Sequence, residues 1–242
     1  MKKDRVFAQK QENIKPFAFT SKVARVFDDM LVRSVPMYQE SIKRQAQMTR
    51  RFYQPETRIY DLGCSHGNLG MAVRDAFKEE DFSMVGVDSS VPMIEKYSGR
   101  LGADKDPRIE LICGYMEDIP LEKASVVLIN LTLQFLSVEK RDALVANIFK
   151  GMVPGGLLLL TEKIIHPGDI IHREQLDFYK RFKRENGYSE LEISQKRDAL
   201  EEVLVPDTLD THFERLGRAG FAQMDVWLKW FNFAGIMAVK KG

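Results

Sequence analysis

Tyr60-Asp61-Leu62-Gly63-Cys64-Ser65-His66-Gly67 is the stretch on which the fold turns. It continues an apolar run from Arg58 and leads into a segment with apolar residues at 69, 72, 73, 76 and 77, so a buried strand passes directly into a helix. Gly63 and Gly67 allow a tight turn and close backbone approach to a ligand, and Asp61 at the strand end can accept hydrogen bonds from an amine. The spacing is not G-x-G-x-x-G, which weakens a dinucleotide reading. Met84-Val85-Gly86-Val87-Asp88 then places an acid at the end of the next strand, 21 residues after Gly67. Two carboxylate oxygens there suit a ribose diol. The plainer alternative is that the glycines only shape a turn and Asp88 only caps a helix.

Outward from this loop, short runs rich in Val, Ile and Leu recur at Arg58 to Leu62, Met84 to Val87, Ile109 to Cys113, Val126 to Ile129 and Leu157 to Leu160. Helical segments separate them: Leu69 to Phe77, one near Met93 led by Ser90 and Pro92, and Ala143 to Phe149 closed by Gly151. Strands alternating with helices make βαβ units, whose parallel strands are buried on both faces. Pro154-Gly155-Gly156 reads as the turn into the fifth strand. Before the first strand, Val23, Val26, Phe27, Met30 and Leu31 read as one amphipathic helix ended by Pro36, and a second helix runs from about Met37 to Phe52. Residues 166–205 form a charged helical insertion around Asn186-Gly187-Tyr188, of a length that usually carries function. A helix near Thr208 to Arg218 and strands around Asp225 to Trp230 and Gly235 to Val239, separated by Asn232 to Ala234, close the chain as an antiparallel hairpin. The expectation is a Rossmann-like α/β fold: one domain with a seven-stranded, mostly parallel sheet. Its parts are a helical N-terminal extension (1–56), a nucleoside-binding core (57–165), the insertion (166–205) and the terminal helix and hairpin (206–242).

Composition narrows the function classes. The 242 residues are 44% apolar and 29% charged, as in an ordinary globular protein and unlike disordered, collagenous or disulfide-stapled chains. No run approaches the roughly 18 apolar residues of a bilayer span, and the polar N-terminus has no signal-peptide core, so a cytoplasmic protein is expected. Cys64 and Cys113 form no C-x-x-C pair and read as reduced core thiols. The net charge of +1 argues against a broad nucleic-acid surface, although residues 1–58 carry 13 basic and 6 acidic side chains. The densest basic group there, Lys43, Arg44, Arg50 and Arg51, reads as a solvated face.

The loop and the acid at the end of strand two resemble the class I S-adenosylmethionine-dependent methyltransferase superfamily, whose first motif is D-x-G-x-x-x-G. Four further stretches are similar to the carboxy-S-adenosylmethionine synthase family: Arg33-Ser34-Val35-Pro36, Tyr60 to Ser65, Asn130-Leu131-Thr132-Leu133-Gln134-Phe135-Leu136, and Asn186 to Arg197. With Trp227 and Phe231-Asn232-Phe233, the similarity spans nearly the whole chain. It implies an enzyme that carboxylates the methyl group of S-adenosylmethionine instead of transferring it. Prephenate would lose carbon dioxide and hydroxide to become phenylpyruvate, a sulfonium ylide would capture the carbon dioxide, and the product would serve a separate enzyme that modifies wobble uridine in tRNA. By position, the resemblance assigns Tyr38, Gly63, Cys64 and Ser65 to the cofactor's amino-acid end, Asp88 and Ser89 to the ribose, and Asn130 to the sulfonium region. Arg197 would hold the new carboxylate, arriving from the partner subunit of a homodimer. No metal, membrane or direct tRNA contact is implied. Where the family pattern has Gly-Asp-Ile, this chain has Gly114-Tyr115-Met116, so the acid for the adenine amine is missing and backbone groups or a stacked Tyr115 would replace it.

The residues fit that chemistry independently. Arg197 offers a planar fork for a carboxylate; by itself it reads first as an exposed helix arginine paired with Glu201, and the family resemblance reverses that order. His66, His166, His172 and His212 show no metal-ligand spacing, and His66 reads as a substrate contact or a solvent-facing loop residue. Cys64 has no neighbouring base and reads as packing, and Lys180-Arg181-Phe182-Lys183-Arg184 reads as a charged helical face. Two rivals stand beside the synthase: a conventional methyltransferase acting on a small molecule or tRNA, and a non-catalytic nucleoside-binding partner of a tRNA-modifying enzyme.

Overall fold

Apolar runs flanked by helices assemble as the alternation requires. In the computed structural model, which describes residues 2–103 and 106–242, strands β1 (Arg58–Leu62), β2 (Met84–Asp88), β3 (Ile109–Cys113), β4 (Ala124–Asn130) and β5 (Met152–Ile165) run parallel. A two-residue strand, β6 (Asp207–Thr208), lies beside Ile164 and Ile165, and the hairpin of β7 (Gln223–Trp230) and β8 (Phe233–Val239) completes the sheet in the order β3-β2-β1-β4-β5-β8-β7. β8 is antiparallel to both β5 and β7. The seven long strands match the expected sheet; β6 is too short to have left a periodic signal. The order in which strands are added reverses between the parallel neighbours β1 and β4, and in such sheets the crevice beyond the strands' carboxyl ends receives the ligand.

Alternation along β1 divides the core in two. Tyr60 and Leu62 pack with Val127, Ile129 and Leu158 against helices α6 (Val138–Gly151) and α9 (Leu209–Ala219). Ile59, Val126, Leu128 and Leu157 pack on the opposite face against α3 (Tyr38–Phe52), α4 (Asn68–Phe77) and Tyr97 of α5 (Val91–Leu101). Each such side chain is worth about 1.5–3 kcal/mol when fully buried.

Some boundaries differ from the sequence reading. The first helix is two, α1 (Ser21–Ala24) and α2 (Phe27–Ser34): Val26 leaves helical geometry, while Val23, Phe27 and Met30 still bury in one cluster with Met93. Val35 is extended, as a residue before proline must be. Pro154-Gly155-Gly156 is not a separate turn. β5 runs through it, and a register shift between Ala124 and Val126 absorbs the extra residues as a bulge. The hairpin linker shortens to Phe231-Asn232. Cys64 is buried but Cys113 is exposed, because β3 is an edge strand. Ser90 sits at the N-cap of α5, yet its hydroxyl donates to the Phe19 carbonyl at 2.7 Å instead of capping.

The insertion folds as α7 (Asp169–Glu185) and α8 (Glu190–Leu200), the latter started by a reciprocal capping box between Ser189 and Glu192. Arg33 of α2 ties extension to insertion. Its guanidinium lies 3.8 Å over the Tyr188 ring and donates to the Asn186 carbonyl at 2.7 Å. The two elaborations thereby form walls above the crevice.

Candidate active site

A cavity of about 700 Å³ opens at the carboxyl ends of β1, β2, β4 and β5, large within the roughly 300–1,000 Å³ of small-molecule sites. Every contact residue expected from sequence lines it except Gly67: Tyr38, Asp61, Gly63, Cys64, Ser65, Asp88, Ser89, Tyr115, Met116, Asn130 and Arg197. Gly67 lies behind the wall. It has a φ of 83° at the start of α4, and a Cβ there would overlap the Tyr97 ring, so it serves the turn and the packing.

Asp61 is 1% exposed, and its Oδ2 has no hydrogen-bond partner among the described residues. Burial, with the nearby Asp88 charge, pushes its carboxyl up to about 7. A buried carboxylate oxygen without a donor, beside a loop whose Gly63 backbone (φ 83°) leaves no room for a side chain against Thr132, fits an incoming ammonium group. Asp88 is already engaged: Oδ2 accepts from the Ser65 amide at 2.9 Å and Oδ1 from the Ser90 amide at 2.8 Å. It therefore fixes the glycine loop and starts α5 while still lining the cavity, since each carboxylate oxygen accepts more than one hydrogen bond. Burial pushes the Cys64 thiol well up, so it stays protonated.

His66 does not face solvent. It is fully buried, with Nε2 2.7 Å from Asp28 Oδ1 of α2, because the N-terminal extension covers the loop. Burial pushes the imidazole down, towards the neutral form that donates to Asp28. Asn68 and Lys96 also donate to Asp28, at 3.1 and 3.3 Å. Asn68 donates to the buried Tyr38 hydroxyl at 3.1 Å, which holds that ring at the cavity wall.

Asn130 ends β4, and its Oδ1 accepts from Gln45 of α3 at 3.2 Å. The tight turn after it depends on Glu162, which accepts from the amides of Thr132, Leu133 and Gln134 at 2.9, 2.9 and 3.1 Å. Burial pushes the Glu162 carboxyl up to about 8 while these amides pull the other way. Tyr115 is 63% exposed and Met116 is buried, so at the third strand a flat ring and a thioether stand in place of the acid. Arg197 is 67% exposed at the rim and pairs with the adjacent Asp198 at 2.8 Å, not with Glu201.

The sequence reading passed over the opposite wall. Leu176, Tyr179, Lys180 and Lys183 follow the i, i+3, i+4, i+7 spacing of one helical face, and that face of α7 lines the cavity with Lys163 of β5 and Lys196 of α8. Only Arg181 and Arg184 of the basic run turn outward, pairing with Glu185 and Glu190. Among the described residues no three His, Cys, Asp or Glu side chains converge as metal ligands, and no helix is long and apolar enough to cross a membrane.

Residues 59–156 match the family model described as a methyltransferase domain. The chain is 59% identical over 241 residues to the carboxy-S-adenosyl-L-methionine synthase of Desulforapulum autotrophicum, covering 99% of this chain and 98% of that protein. The chain belongs to the carboxy-S-adenosyl-L-methionine synthase family. The synthase of that name from Shewanella oneidensis is 47% identical over 238 residues, again with 98% of each chain covered. Among solved structures, human N-acetylserotonin methyltransferase in complex with SAM superposes with a TM-score of 0.61 at 14% identity, covering 92% of this chain and 56% of that one. The YcgJ protein of Bacillus subtilis gives 0.61 at 13%, covering 84% and 99%. These likenesses show that this synthase family member has the class I methyltransferase fold.

Proposed function

We propose that the chain converts S-adenosylmethionine and prephenate to carboxy-S-adenosylmethionine and phenylpyruvate, and that the product supplies a separate enzyme modifying wobble uridine in tRNA. The observation that carries this reading is the full-length 59% identity to a protein named for that product. The cavity's two unlike walls support it, one suited to a nucleoside and the other cationic. The bonds balance: prephenate's carboxyl group leaves as carbon dioxide and joins the sulfonium methyl carbon, and the methyl proton leaves with prephenate's hydroxide as water. In this reading Asp61 receives the cofactor's ammonium group, Tyr38 and Gly63 to Ser65 enclose the amino-acid end, and Asp88 and Ser89 take the ribose. Tyr115 and Met116 flank the adenine, and Asn130 faces the sulfonium.

Mass spectrometry of the supernatant of denatured protein is expected to find a ligand one carbon dioxide heavier than S-adenosylmethionine, and adding prephenate with S-adenosylmethionine should form more of it. Finding only S-adenosylmethionine or S-adenosylhomocysteine, with no turnover of prephenate, would replace this reading with a conventional methyltransferase. Absence of any nucleoside turnover would leave the non-catalytic binding partner.

Asp88→Ala is expected to weaken S-adenosylmethionine binding about tenfold through loss of charge-assisted ribose contacts, with the fold retained. Titration calorimetry checks it, and an unchanged affinity would confine Asp88 to its two backbone amides. For Arg197 we propose carboxylate recognition across a homodimer interface. Arg197→Ala should lower affinity for carboxy-S-adenosylmethionine about tenfold while leaving S-adenosylmethionine nearly untouched, and Arg197→Lys should recover only part of it, because one ammonium lacks the two-point geometry. Mixing Arg197→Ala with Asp88→Ala chains should restore activity through hybrid dimers. No recovery despite verified subunit exchange would place each site within one chain.

A further inference from the structure

Among the described residues three lysines of the cationic wall have no salt-bridge partner of their own. Lys163 and Lys183 both approach the same Tyr179 ring, their Nζ atoms 5.5 and 4.3 Å from its centroid, and Lys196 Nζ donates to Ser34 Oγ at 2.9 Å. Lys183 is buried, and the other two are half-buried. Among the described residues none of the three is within salt-bridge distance of a carboxylate, in contrast to Lys180 beside Asp177 and Lys140 beside Glu117. Among the described residues Asp4 is the acid whose field reaches Lys196, and its oxygens are taken by the Tyr188 hydroxyl and the Val6 amide.

Removing an ammonium group from water is costly unless an opposite charge meets it. Burial, reinforced by the neighbouring Lys163, Lys196, Lys180 and Arg197 charges, pushes Lys183 down to about 7, and burial pushes Lys196 down to about 8. Three such groups turned into one cavity, with no structural ion pair to explain them, are arranged for an anion from outside. The same wall carries Leu176, Leu200 and Phe233, so the anion has an apolar body.

We infer that Lys163, Lys183 and Lys196, around Tyr179, form the subsite for a small organic dianion with two carboxylates and an apolar ring, bound across the cavity from the nucleoside wall. This rests on the carboxylation reading for the ligand's identity and on the structure for the site. Tyr179 supplies a ring face that steadies two ammonium groups in the empty protein. The incoming carboxylates then replace that weak contact with charge-assisted hydrogen bonds.

The test uses the full-length protein saturated with S-adenosylmethionine and phenylsuccinate as an unreactive dianion probe, read by thermal shift and calorimetry. Phenylsuccinate is expected to stabilise the wild type, its monoamide to bind at least tenfold more weakly, and Lys183→Met and Lys163→Met each to lose at least tenfold in probe affinity. S-adenosylmethionine affinity should stay within about twofold. Without probe, Lys183→Met should melt no lower than wild type, because it removes a buried unpaired charge; if it misfolds, Lys163→Met and Lys196→Met carry the test. In turnover assays these variants should raise the prephenate KM at least tenfold with a smaller change in kcat, and Lys183→Arg should fall between. Unchanged probe affinity and unchanged KM in the variants would overturn the subsite, as would equal stabilisation by inorganic phosphate, which would mark a general anion site. If the probe binds and the lysine variants lose it while prephenate is never turned over, the subsite stands and the carboxylation reading falls.

Discussion

Glu162→Ala is expected to destabilise the protein by about 3–5 kcal/mol, the largest loss for any single substitution near the site. Glu162 is 1% exposed and serves three backbone amides in succession, those of Thr132, Leu133 and Gln134. Each buried donor left without an acceptor costs about 1–3 kcal/mol, and water admitted by the shortened side chain recovers part of the total. The turn it holds is strained: Leu131 has a φ of 61°, in the left-handed region that a branched side chain rarely adopts. Denaturant unfolding should show the loss, and a melting scan should show a drop of roughly 10 °C. Glu162→Gln keeps one acceptor oxygen and should lose about half as much. Because the same turn positions Asn130 and Thr132, S-adenosylmethionine affinity should fall in the alanine variant even where it is still folded. A loss below 1 kcal/mol would mean that the amides find other acceptors and that Glu162 does not build the turn.

The fold was legible because its signals are local. The continuous apolar strands, the Asp61-to-Gly67 loop and the acid at Asp88 each report their own surroundings, and their order fixes a parallel sheet with the crevice beyond β1 and β4. Half of the site was legible for the same reason. What sequence alone did not disclose depends on contacts between distant segments. His66 reads as a loop residue until the extension, 38 residues earlier, covers it with Asp28. Glu162 is an ordinary acid at the end of an apolar strand until the chain after β4 folds its amides onto it. Lys163 and Lys196 lie on different elements, and only the packing of α7 and α8 over the sheet turns them to one cavity. Lys183 did carry a signal, since Leu176, Tyr179, Lys180 and Lys183 form one helical stripe. Its meaning was ambiguous because a basic stripe more often faces water.

S-adenosylmethionine affinity should rise about 50-fold between pH 5 and pH 7 and then level off. In the empty protein Asp61 titrates at about 7, raised first by burial and then by the Asp88 charge. An ammonium group placed against it favours the carboxylate, so binding releases a proton wherever the empty protein still holds one, and affinity grows with pH up to that value. Above about pH 8 the cofactor's own α-amino group loses its proton, and the affinity turns down. The sign is opposite for stability: a carboxyl whose folded value is raised holds a proton that the unfolded chain has already lost. The empty protein is therefore expected to lose stability as pH rises from about 4 to 7, and S-adenosylmethionine should restore more of it at pH 7 than at pH 5. Calorimetry at pH 6 in two buffers of different ionisation enthalpy should show close to one proton released, falling towards zero at pH 8. Asp61→Asn should bind more weakly at pH 7 with an affinity nearly flat from 5 to 7, and 5′-methylthioadenosine, which lacks the amino-acid end, should be flat with the wild type. A wild-type affinity that does not change with pH would mean that the ammonium group does not meet Asp61. An Asp61→Asn variant that keeps the full slope would move the linked proton to Asp88, whose carboxyl burial also pushes up.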